Sequence, residues 1–166
     1  MSSEWEEIQR PTVARIIWAT MIAALLVSAP DLPKRVFFWW PDWAAMTLFF
    51  WIINRPQSVG PFAAFCMGLG VDLLTNSLAG SHSLAYVLSA FMLARSQSRI
   101  SSLNVGGQSL AALMALLQAQ IVYAAALFLA EGVTGGWAGF IAPFVGAALW
   151  PLFNKAMMQL LVFVRR

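Results

Sequence analysis

The chain is 166 residues long with 10 basic and 7 acidic side chains, so 10% of it is charged, against about 25% in a soluble domain. Its 60% apolar content and mean hydropathy of +0.73 exceed what a water-soluble fold of this size hides, so the solvent for most of the chain is lipid. One cysteine, Cys66, and one histidine, His82, exclude an internal disulfide, a thiolate cluster and a paired-histidine metal site, and no cofactor is expected.

Uncharged runs place six membrane spans, at about 12–29, 36–53, 57–74, 82–94, 105–130 and 138–164. At roughly 20 residues per span they use about 120 residues, which leaves short loops and no separate soluble domain. The first run, Ile16 to Val27, follows Glu4, Glu6 and Glu7 and precedes Pro30, so it reads as a retained anchor and not a cleaved signal. Pro30 and Pro33 end it. The second span opens on Trp39, Trp40 and Trp43 and closes near Trp51, a pattern expected of an interfacial aromatic belt. The polar stretch Thr75 to Ser83 separates the third span from the fourth. Pro143 and Pro151 predict kinks in the last. The expected fold class is an all-α membrane protein, a six-transmembrane-helix bundle in one domain.

Basic residues set the orientation. With a cytoplasmic N-terminus, Arg10, Arg15, Arg55, Arg95, Arg99, Lys155, Arg165 and Arg166 lie inside, and only Lys34 and Arg35 lie outside. Both termini are therefore expected in the cytoplasm. Basic side chains spread this way report topology and give no reason to expect nucleic acid.

Small residues recur every fourth position in three spans: Gly60, Ala64 and Gly68 leading to Asp72; Gly107, Ala111, Ala115 and Ala119; and Ala142 with Gly146. That spacing puts each set on one helix face, where backbones approach closely. Such faces pack a protein against itself or dock a neighbour. Polar groups in lipid are costly and mark candidate positions: Asp42, Asp72, Gln118, Gln120, Tyr123, Glu131, Asn154 and Lys155. Asp42 is expected near the outer interface and Glu131 in a solvated turn. Asp72, beside Thr75, Asn76 and Ser77, reads as a cap and loop anchor.

Catalytic constellations are incomplete. Gly68-Leu69-Gly70-Val71-Asp72 is one residue longer than the Gly-x-Gly-Asp of intramembrane aspartyl proteases and lacks a second deep carboxylate. Gly80-Ser81-His82 places base beside nucleophile on one helix, and no phosphate-binding loop is present. The expectation is a non-enzyme.

Pro41-Asp42-Trp43, Trp51, Pro56, Gly60, Phe65, Gly68, Asp72-Leu73-Leu74, Gly80, Leu84 and Tyr86 together resemble the rod shape-determining MreD family. Its Gly-(x)3-Asp-(x)7-Gly spacing is held by Gly68, Asp72 and Gly80, and Leu149-Trp150-Pro151 fits its proteobacterial branch. The resemblance departs at Asn76 and Ala79. It implies a polytopic inner-membrane subunit of the bacterial elongasome, partnered by an MreC-like single-span scaffold and through it by RodA, the elongation penicillin-binding transpeptidase and the MreB filament, in contact with membrane lipids. It also implies a fold like the membrane substrate-binding subunits of energy-coupling-factor transporters. Two readings follow. In the first the chain is a scaffold that docks neighbours at Gly60, Ala64, Gly68, Asp72, Gly80, Ala111, Ala115 and Gly146. In the second it is a transporter subunit that holds a lipid-like or vitamin-like molecule near Asp72, His82 and Tyr86. The scaffold is favoured, because a transport pocket needs more convergent polar groups.

Overall fold

The computed structural model describes the backbone of residues 2–28, 39–132 and 137–164, and in the first helix the side chains from Val13 onward. The described residues form seven α-helices and one 3-10 turn: α1 (Ser2–Ser28), α2 (Trp43–Asn54), α3 (Pro61–Thr75), α4 (Ser81–Arg95), α5 (Gln97–Ser101), α6 (Val105–Glu131), the turn Trp137–Phe140 and α7 (Ile141–Val164). The short α5, absent from the sequence expectation, turns the corner between α4 and α6.

Local chemistry sets these boundaries. Asp42 caps α2 by accepting the Ala45 N–H at 2.9 Å, so the helix starts at Trp43; residues 36–38, where the second span was expected to begin, lie outside the described set. Pro61 opens α3 with its fixed φ and missing N–H at the first helical position. Asn104 caps α6 through the Gly107 N–H at 2.8 Å, and Gly132, at φ +67°, ends it. Pro143 sits in the first turn of α7 and Pro151 inside it, within one continuous helix.

The second helix is the centre of the molecule. Every residue from Ala44 to Ile53 is buried, and α2 touches α1, α3, α4, α5, α6 and α7. A helix that is apolar on all sides is surrounded by lipid or by protein, and here protein surrounds it. This corrects the aromatic belt at Trp51. That side chain is fully buried and its indole N–H donates to Thr20 Oγ1 on α1 at 2.9 Å. Trp150 is buried as well, whereas Trp39 is exposed. The Trp137 side chain lies outside the described set.

Among the described residues, two helices are long and apolar enough to cross a membrane, Val105–Glu131 and Ala138–Phe163; Val13–Ser28, Trp43–Asn54 and Pro61–Thr75 are apolar but shorter. The two longest spans expected from the sequence, 105–130 and 138–164, fall on these two helices. Outward-facing positions carry large apolar groups, among them Phe62, Leu73, Phe91, Leu110, Met114, Leu129 and Phe163, as lipid-facing surface requires.

Candidate functional site

The end of the bundle that holds the α3–α4 turn gathers the buried polar groups. Asp72 lies in the last turn of α3 and is 2% exposed. Its main-chain carbonyl accepts the N–H groups of Asn76 and Ser77, the latter at 3.1 Å, with Asn76 left-handed at φ +50°. Its carboxylate then starts the next helix. Oδ2 accepts the Gly80 N–H at 2.8 Å. Oδ1 accepts Ser77 Oγ at 2.8 Å, Ser81 Oγ at 3.0 Å, the His82 N–H at 3.1 Å and His82 Nδ1 at 2.7 Å. One residue therefore terminates α3 and caps α4. An ionised carboxylate only accepts, and all these groups donate, so Nδ1 carries the imidazole proton.

Close packing brings the two helices into that register. Gly68 has no room for a side chain, because a Cβ there would overlap the Ser83 Cα and N and the His82 carbonyl carbon. Ser83 Oγ donates to the Phe65 carbonyl at 3.2 Å beside it. Gly80, at φ +95°, makes the sharp entry to α4 that a side chain would strain.

A second carboxylate sits one turn deeper along α4. Tyr86 is buried, and its hydroxyl donates to both oxygens of Asp42, at 2.7 and 2.6 Å. The His82 ring lies between Tyr86 (centroids 5.9 Å, edge-on) and Tyr123 of α6 (4.2 Å, tilted by 34°). Asp42, His82, Tyr86, Gln120, Tyr123 and Pro143 line part of a small cavity that also borders α7. It offers about 30 Å³ to water centres, enough for about two waters. A ligand cleft measures roughly 300 Å³ or more.

The positions singled out in the sequence distribute as follows. Gly60, half-buried, caps α3, while Ala64, Gly68 and Asp72 are buried on the face that meets other helices of the chain. Ala111 packs against the core and Ala115 is buried. Gly146 faces Leu116 Cδ1, Met46 Sδ and Pro41 Cβ. Ala64, Gly68, Asp72, Ala111, Ala115 and Gly146 are thus engaged inside the chain. Asp72 and His82 meet directly, but Tyr86 bonds Asp42 instead of Asp72, and Asp72 does not line the cavity. Asp42, expected near the outer interface, is half-buried and doubly used. Gln120 and Tyr123, three apart and so on one helix face, carried a spacing signal that points to a shared site. Asn154 finds Gln108 Oε1 at 3.3 Å, and Lys155 and Glu131 are exposed.

The sequence model of the rod shape-determining protein MreD matches residues 9–164, nearly the whole chain. The chain belongs to the MreD family. A curated relative, the rod shape-determining protein MreD of Haemophilus influenzae, is 24% identical over 111 residues, which cover 67% of this chain and 68% of that protein. No solved structure matches the chain. Membership of the MreD family makes the chain a rod shape-determining membrane protein, of a family with a structural role in shape determination.

Proposed function

We propose that the chain is a non-catalytic scaffold in the inner membrane, supporting lateral cell-wall synthesis by docking an MreC-like single-span subunit, and through it RodA, the elongation transpeptidase and MreB. The observation that carries this reading is how the polar groups are used. Asp72 takes donors from Ser77, Gly80, Ser81 and His82, and Asp42 takes Ala45 and Tyr86, so both carboxylates brace the chain's own helices. What faces outward is apolar side-chain surface of the kind that meets lipid and neighbouring spans. A cavity sized for about two waters gives the transporter-subunit reading no support.

Six membrane crossings with both termini in the cytoplasm belong to the same proposal. Charge supports it. The described basic residues Arg15, Arg55, Arg95, Arg99 and Lys155 lie toward the end of the bundle away from the α3–α4 turn. Affinity purification of the tagged full chain in mild detergent tests the docking. An MreC-like single-span protein is expected to co-elute, and its absence from elutions of well-folded chain would overturn the scaffold reading.

A further inference from the structure

Arg15, Arg55, Arg95, Arg99 and Lys155 are all exposed, and the ion pair formed among the described residues is His82–Asp72, at the far end. Three of these cations are gathered at one corner. Gln97 Nε2 donates to the Ile53 carbonyl at 2.7 Å, which fastens the start of α5 to the end of α2. Arg55 follows α2 by one residue, Arg95 ends α4, and Arg99 lies in α5. The surface one turn before Arg95 is apolar, with Phe91 and Met92 each 55% exposed.

We propose that this corner binds the headgroup of an anionic phospholipid. The phosphodiester is held by the guanidinium groups of Arg55, Arg95 and Arg99, and the acyl chains lie against Phe91 and Met92. Guanidinium forks match phosphate oxygens in geometry and charge. The apolar surface alongside favours an amphiphile over an acidic protein segment. The proposal rests on the membrane-embedded reading above but does not depend on which protein docks.

The test uses the purified full chain in an uncharged mild detergent, following thermal unfolding and lipid binding with added phosphatidylglycerol, phosphatidylcholine or glycerol phosphate. Phosphatidylglycerol is expected to raise the unfolding temperature, and the other two are not. Juxtamembrane basic residues contribute about 1 kcal/mol each, so replacing all three arginines by glutamine should weaken phosphatidylglycerol binding about a hundredfold. An Arg15→Gln, Lys155→Gln chain should bind normally. If the triple glutamine chain is unstable without lipid, the Arg→Lys triple serves instead; it keeps the charge but loses the fork, and should bind with intermediate strength. Equal stabilisation by phosphatidylcholine, a full effect from glycerol phosphate, or undiminished binding by the glutamine chain each overturns the proposal. So does a glutamine chain that still binds lipid but loses an acidic protein partner. Co-elution of the single-span subunit is scored separately, so the failure of one reading is distinguishable from that of the other.

Discussion

An amide in place of the Asp72 carboxylate keeps the shape of the side chain but turns one oxygen into a donor. With its remaining oxygen at the Oδ1 position, Asp72→Asn still accepts Ser77, Ser81 and His82, but its NH2 then faces the Gly80 N–H. Two opposed donors in a buried site cost about 1–3 kcal/mol. Asp72→Leu strands every donor at once. Thermal unfolding in detergent should rank the wild type above Asn and Asn above Leu, and membrane abundance should follow the same order. An Asn chain as stable as wild type would mean that the Gly80 contact contributes nothing. Of the loop residues read beside Asp72, Ser77 donates to its carboxylate, whereas the Thr75 hydroxyl donates to the Val71 carbonyl, and Gly80, Ser81 and His82 at the start of α4 supply the other donors. The Tyr86–Asp42 bond, between residues 44 apart, was not legible in the sequence, since only the packing of α2 against α4 brings them together.

At the scale of the helix, two glycines with the same spacing signal have opposite surroundings. Gly68 has backbone atoms of α4 where its side chain would be, whereas Gly60 has nothing within 4 Å. Overpacking costs about 1–3 kcal/mol, and a backbone neighbour yields less readily than a side-chain tip. Gly68→Ala is expected to lose most of the folded protein on size-exclusion chromatography in detergent, and Gly60→Ala to elute as the wild type does. Monodisperse Gly68→Ala chain would show that α3 and α4 separate at little cost. Periodicity found the face in both cases, because 3.6-residue geometry is local; it could not say which position on the face lay nearest a neighbour. Hydropathy could not show that α2 is central, for a related reason. Ten buried residues inside protein and ten facing lipid have the same composition, so the run around Trp51 looked like an ordinary span.

For the whole molecule, the eight-to-two distribution of basic residues predicts a single orientation. A reporter active only in the periplasm, fused after Arg166, should give no signal, while the same reporter placed in the loop after Glu131 should be active. A signal at the C-terminus would require an odd number of crossings. Membership in an all-helical membrane family was legible from composition and the Gly68–Asp72–Gly80 spacing. Unequal lengths were already present in the expected spans, short at 82–94 and long at 138–164; the exact ends were not legible, because caps and turns, not hydropathy, decide where these helices stop.

Those unequal lengths act on the bilayer itself. Lipid beside α3 and α4 meets helices of 15 residues, about 22 Å tall, whereas lipid beside α6 meets 27 residues, about 40 Å. The hydrocarbon layer is about 30 Å thick, so it is drawn thin on one flank and forces tilt or thickening on the other. Mismatch costs fractions of a kcal/mol per Å, and summed over roughly 8 Å it becomes a lateral force on whatever diffuses nearby. Neighbouring spans are thereby sorted by length, short ones toward α3 and α4 and long ones toward α6, before any side chain has touched another.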